Sequence, residues 1–283
     1  MKYAVRYRKD FRHFDSVDEV IFPVRKGDES ICTIPLSIVK SQGQKITLDI
    51  QTERPLEEFL PFIIQLKEKH PNILVQLEWP FDLEEIQLMK DNNIPFMASL
   101  GFCKSLDMVY AMKVAGVSEI YVVENLGFRL DEVKKVLMGT DIKIRIIPNV
   151  TQCTMGTRQW LPSIKKFWVR PEDTRFYENY VDTFELFNED DKLSVVYEVY
   201  QQQKWIGDLS NIILDAEDLN ISNGAIPPYF GQSRVNCKQH CLFAHGCEAC
   251  EANLIFAKTF EKTDVEIQYP KVKKENKYES ETD

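Results

Sequence analysis

Residues 119–150 read EIYVVENLGFRLDEVKKVLMGTDIKIRIIPNV. An apolar run, Glu119 to Glu124, is a strand by its β-branched and aromatic content. Leu130 to Met138 then carries Leu130, Val133, Val136 and Leu137 at helical spacing, and Gly139 supplies a stop. Lys143 to Val150 is apolar and β-branched again. A strand, a helix and a second strand in so short a stretch require a parallel crossover, since a helix carries the chain back to the starting edge.

The same alternation extends in both directions. Upstream, Val20 to Val24, Lys45 to Gln51, Asn72 to Trp79 and Pro95 to Gly101 read as strands. Between them lie helical patterns over Pro55 to His70, over Asp82 to Asn92 with Asp82 as N-cap, and over Lys104 to Ala115 with Gly116 as the stop. Downstream, Lys166 to Arg170 and Asn211 to Asp215 complete eight strand candidates. Eight such units close into a (β/α)8 TIM-barrel-like fold of the α/β class. An open doubly wound sheet is the alternative, and the chain has no G-x-G-x-x-G to support its dinucleotide-binding form. Residues 172–205 fit either two helices or a helix and a strand. The expected organisation is a barrel domain over 1–228, a cysteine-rich metal-binding appendix over 229–262 and a charged tail over 263–283.

Apolar residues make up 44% of the chain and charged residues 28%, the balance of a soluble globular protein. No run approaches the length of a membrane span, and the first residues lack the apolar core of a secretory signal. A cytoplasmic location without membrane contact is the expectation. A net charge of −9 argues against strong bulk affinity for nucleic acid.

Four of the seven cysteines, Cys237, Cys241, Cys247 and Cys250, fall in fourteen residues with the spacing C-x3-C-x5-C-x2-C. Four thiolates are the full ligand set of one tetrahedral zinc or one iron–sulfur cluster. Paired disulfides suit small secreted scaffolds rather than a chain of this length with an odd cysteine count. The short middle gap is unlike the two separated knuckles of a zinc finger, and it is neither of the common ferredoxin patterns. Zinc and iron–sulfur therefore both stay open. His240 and His245 lie within the run as ligands, outer-shell donors or surface residues. Cys32, Cys103 and Cys153 are expected to be buried, inert thiols.

Reacting groups of a parallel barrel come from the C-terminal strand ends. Those ends supply Asp49, Glu78, Ser99, Glu124, Asn125, Asn149, Gln152, Arg170, Glu172, Asp215 and Glu217. Arg170, held extended by Pro171, is the basic group of this rim. It suits either a structural ion pair or, with Gln152 beside it, contact with an anionic substrate.

The stretch from Gly116 to Gln152 resembles the middle of the collagenase-like peptidase family U-thirty-two (U32). The matching pieces are Gly116, Glu124-Asn125-Leu126-Gly127 and Thr151-Gln152, and Arg234 to Cys241, RVNCKQHC, is similar to that family's C-terminal cysteine run. The resemblance implies a barrel and a four-cysteine iron–sulfur site. It also implies an activity in oxygen-independent or prephenate-dependent hydroxylation of RNA or of quinone precursors. Family members place a further ligand upstream of the C-x3-C pair. Here no Cys stands between Cys153 and Cys237, so Cys247 and Cys250 would complete the set.

Overall fold

The computed structural model describes residues 1–25, 43–51, 56–78, 82–99, 103–151, 166–188, 192–216, 219–235, 237, 250, 252–253, 255 and 257. Eight parallel strands form a closed barrel in chain order: β1 Lys2–Arg6, β2 Glu19–Arg25, β3 Lys45–Gln51, β4 Ile73–Leu77, β5 Phe96–Ala98, β6 Glu119–Tyr121, β7 Lys143–Ile146 and β8 Thr183–Leu186. Closure is between β1 and β8, with Lys2 opposite Thr183 and Val5 opposite Leu186. The helices are α1 Leu60–Lys69, α2 Leu83–Asp91, α3 Leu106–Ala115, α4 Leu130–Leu137, α5 Leu193–Gln201 and α6 Phe230–Arg234. No helix among the described residues is long and apolar enough to cross a membrane.

Local chemistry sets the helix ends. Asp82 caps α2, accepting from Glu84 N at 3.1 Å while Glu85 accepts from Asp82 N at 3.2 Å, a capping box. Ser105 caps α3, which ends at Gly116 in the left-handed region with φ 78°, where a side chain would be strained. The strand starts are tied by polar residues that precede them. Asp182 Oδ2 accepts from Ile144 N at 2.9 Å and Asp18 Oδ2 from Tyr3 N at 2.8 Å, each reaching back to the preceding strand.

Two of the expected strands are corrected by the structure. Neither Lys166 to Arg170 nor Asn211 to Asp215 joins the barrel; their places are taken by β1 and β8. Both segments bond to the chain that continues β7 beyond the barrel; Asn211 to Asp215 does so as a turn, with Asn211 ending a 3-10 helix over Leu209–Asn211 and Asp215 at φ 56°. Val169 N donates to Pro148 O at 2.8 Å and Leu214 N to Asn149 O at 2.8 Å, and Thr151 N donates to Leu214 O at 3.1 Å. LSVVYEVYQ, open between helix and strand in the sequence, is α5.

Strand side chains alternate between two environments. The outward set, including Val20, Phe22, Ile46, Leu48, Val75, Ile120, Ile144 and Phe184, meets the helices in the main core. Facing inward, Leu74, Met97, Tyr121, Val123 and Ile147 form a second, smaller cluster. The other inward positions hold buried polar groups, among them Glu19, Asp49, Gln76, Glu119, Arg145 and Glu185.

Candidate functional site

Arg145, from the middle of β7, is fully buried inside the barrel. Its Nη2 donates to both carboxylate oxygens of Glu19 at 2.6 and 2.7 Å, Nε to Glu119 Oε1 at 3.0 Å and Nη1 to Glu185 Oε2 at 3.3 Å. One guanidinium thus gathers carboxylates from β2, β6 and β8. Toward the N-terminal end, Lys45 bonds Glu119 and lies 3.2 Å from Glu19 Oε2. Toward the C-terminal end, Arg6 Nε donates to Glu185 Oε1 at 3.0 Å and its Nη1 to Asp49. Tyr121 donates its hydroxyl to Glu185. Burial, and next the charge of Glu185, push that phenol well above its usual pKa, so it stays a neutral donor.

The result is a column of charge along the barrel axis. Lys45 and Arg6, the two ends, are 25% and 12% exposed, and the four carboxylates between them are at most 2% exposed. Burial alone would raise the pKa of Glu119, but Arg145 and Lys45 outweigh it and bring the value down to about 2. Opposite the charged wall stands the apolar inner cluster of Leu74, Met97, Val123 and Ile147. Gln76, 1% exposed, faces the same interior, and its Nε2 has no hydrogen-bond partner among the described residues. The C-terminal end therefore offers one guanidinium, an amide donor and an apolar wall.

The rim residues named from the sequence have diverse roles. Asp49 lies inside the barrel with Arg6 rather than on a loop. Asn149 is a staple: its Oδ1 accepts from Phe187 N at 3.0 Å, while Nδ2 donates to Phe187 O and, at 3.3 Å, to Ile212 O. Glu172 Oε1 accepts from Trp205 N at 2.6 Å and Asn223 Nδ2 at 2.7 Å. Glu78 and Asp215 are exposed, and Ser99 is half-buried. Gln152, Glu217 and the side chains of Glu124 and Asn125 lie outside the described residues. Cys103 is buried, and burial pushes its thiol up to about 12, so it is no nucleophile. Cys32 and Cys153 lie outside the described residues.

Arg170 is buried and fully engaged. Its Nε and Nη2 meet Asp173 at 2.6 and 3.1 Å, and Nη1 and Nη2 donate to Ile226 O and Pro227 O at 3.3 Å each. This is the geometry of an ion pair that clamps residues 226–227 onto the barrel, not of a group turned to a ligand. Phe230 lies beneath the guanidinium at 5.5 Å. A Cβ on Gly231 would stand 2.1 Å from Asp173 Cγ, so only glycine lets α6 come this close.

The chain then enters the cysteine-rich segment. Arg234, 2% exposed, sits among Trp168, Phe230 and Phe128 at 4.6, 4.9 and 5.1 Å, a cation within three rings. Its Nη2 donates to Lys166 O, and Nε and Nη1 have no partner among the described residues. Cys237 N donates to Arg234 O at 3.2 Å. Cys237 and Cys250 are half-buried thiols outside any disulfide, and both pack against the main core. Cys241, Cys247, His240 and His245 lie outside the described residues, as does the charged tail; among the described residues no three His, Cys, Asp or Glu side chains are grouped to hold a metal.

No protein-family model matches the chain, and no curated protein matches it. Among solved structures, a U32 peptidase is similar over 66% of this chain and 93% of its own, at 12% identity and a TM-score of 0.44. A thiamine phosphate pyrophosphorylase from Pyrococcus furiosus is similar over 72% and 96%, at 10% identity and a TM-score of 0.40.

Two of the buried arginines, Arg145 and Arg170, predict large losses of stability. Arg145→Ala leaves Glu19, Glu119 and Glu185 without their shared cation and is expected to cost about 3–5 kcal/mol in urea unfolding. Glu119 also sets an acid limb. Its pKa falls from an ordinary 4.5 to about 2 on folding, so its stabilisation is complete above 4.5 and is lost as pH drops through about 2. Unfolding midpoints measured across that window should fall in the parent and fall less steeply in Glu119→Gln. At the clamp, Arg170→Ala strands Asp173 and should cost about 3–5 kcal/mol. A melting temperature unchanged by that substitution would contradict the clamp.

Proposed function

We propose that this chain is a metal-binding barrel protein in which Cys237, Cys241, Cys247 and Cys250 jointly hold one iron–sulfur cluster. In this reading it is an enzyme that hydroxylates a small aromatic substrate. The observation that carries the reading is the placement of the two outer cysteines. Cys237 and Cys250, thirteen residues apart, are both outside any disulfide, half-buried and packed on the same core. Both ends of the run thus lie against the body of the barrel, and the C-x3-C-x5-C-x2-C spacing, four thiols in fourteen residues, supports one shared site. Arg234 supports it independently. A buried guanidinium with two nitrogens unpartnered among the described residues is costly, and a thiolate at Cys237, three residues later, would supply negative charge.

A cluster bound there would supply electron transfer to the barrel. The chain's own residues provide the rest: Arg6 and Gln76 present polar groups at the C-terminal end, and the apolar inner wall excludes water. Gln152, just after Thr151 beyond β7, contacts substrate in this reading, while Arg170 serves by holding the adjoining wall. RNA, the other substrate implied by the resemblance, fits a net charge of −9 less well.

The second reading is a structural zinc in a non-catalytic protein. It is favoured by the clamps of Arg170 and Arg234 directly upstream, since a zinc staple would continue the same fastening. Metal analysis of anaerobically purified protein separates the two. The cluster gives brown protein with bound iron, and the staple gives colourless protein with about one zinc per chain. Cys241→Ser is expected to remove most of the metal in either case. A parent protein free of both metals, or a variant that keeps its full metal content, overturns the four-cysteine site.

A further inference from the structure

A cavity of about 860 Å³ opens at the N-terminal end of the barrel, opposite the end that carries Arg6 and Gln76. Each of the eight strands contributes its first residues or the residue just before them. In most parallel barrels side chains fill this end. Here the inward side chains that would do so, Glu19 and Glu119, are drawn up to Arg145, and Ala4 beside them is small. The space is left open beneath the ion network, which forms its roof.

The lining is asymmetric. Asp15, Asp18, Glu19, Glu119, Asp141 and Asp182 face three lysines, Lys2, Lys45 and Lys143, a balance of −3. Lys45 is already bonded to Glu119 and close to Glu19. Apart from Glu119 of β6, which is bonded to Arg145 and Lys45, the acids lie on the side of β7, β8, β1 and β2, whereas β4, β5 and the residues just before β6 are uncharged and largely apolar, with Ile73, Leu74, Pro95 and Val117. Gln44, 5% exposed, also lines the wall. Its Nε2 donates to Phe14 O and Val17 O at 2.7 and 2.8 Å, and its Oε1 accepts no hydrogen bond among the described residues. An occupant that suits the cavity carries positive charge, hydrogen-bond donors and an apolar body.

The spread of the carboxylates selects among cations. No three of them, nor any other His, Cys, Asp or Glu among the described residues, are grouped closely enough to hold a metal ion. Charges placed around a rim suit a cation whose charges are themselves spaced along a chain. We infer that the N-terminal cavity binds a small aliphatic polyamine, with its ammonium groups toward Asp18 and Asp182 and its methylenes against Ile73, Leu74, Pro95 and Val117.

Calorimetry of the full chain with spermidine at low salt tests this. The expected result is one site per chain that weakens as sodium chloride is raised, with no competition from magnesium chloride at equal ionic strength. Asp18→Asn with Asp182→Asn keeps the oxygens that accept from Tyr3 N and Ile144 N but removes two charges. It should weaken binding by about tenfold with the melting temperature nearly unchanged. Ser118→Lys, which adds a cation to the uncharged side, should also abolish binding and keeps the test decisive should the double variant fail to fold. Spermidine that does not bind at millimolar concentration overturns the inference, as does binding that survives Ser118→Lys or is displaced by magnesium.

Discussion

A single guanidinium inside the barrel organises most of what surrounds it. Arg145 takes carboxylates from three strands that are far apart in sequence, with Glu19 lying 126 residues away from it. Removing these groups from water costs several kcal/mol for each ion, and their mutual attraction roughly offsets it. The gain is therefore in specificity more than in stability. The inward position alternates with the outward one, so a slip of one residue in any strand would turn its carboxylate into the helix layer. The eight-strand ring has one register in which the charges meet.

The charged interior also explains what was legible in the sequence. The strands β4 to β7 begin at residues 73, 96, 119 and 143, an even spacing that matched the strand–helix alternation. β1 and β8 did not stand out, because KYAVR and TFEL are short and carry Arg6 and Glu185 at inward positions. A charge in a core position breaks the apolar pattern on which strand recognition rests. The two segments mistaken for barrel strands, KFWVR and NIILD, are apolar and largely buried, but they bond to the continuation of β7 above the barrel, the second of them as a turn. Pattern alone reports a buried apolar run; it reports neither the backbone conformation of a short run nor the sheet it joins.

The site residues divide in the same way. Asp49 was visible because it ends an apolar strand, yet it belongs to the interior rather than the rim. Arg6, Tyr121, Glu185 and Arg145 were not singled out. The available signal was a lone charge or phenol flanked by apolar residues in strands such as KIRI and EIY, which on a sheet buried on both faces demands a partner. The role of Arg170 depended on Asp173 and on the carbonyls of residues 226 and 227, partners that only the folded chain brings to it. The cysteine run is a feature of the sequence itself, and of its four thiols only Cys237 and Cys250 are among the described residues. The aromatic seat of Arg234 was not legible in the sequence, since its rings come from residues 128, 168 and 230.

Closure between β1 and β8 has a consequence for the chain while it is being made. Residue 2 has no partner on its open side until residue 183 has been synthesised. A growing chain is thus an unclosed sheet for most of its synthesis, the state in which bare strand edges and apolar faces invite aggregation. In this protein the concave face of that sheet carries Glu19, Lys45, Asp49, Glu119 and Arg145, which water solvates readily. The groups that fix the finished ring would therefore keep the partial ring soluble, and would give up their hydration when β8 arrives with Glu185.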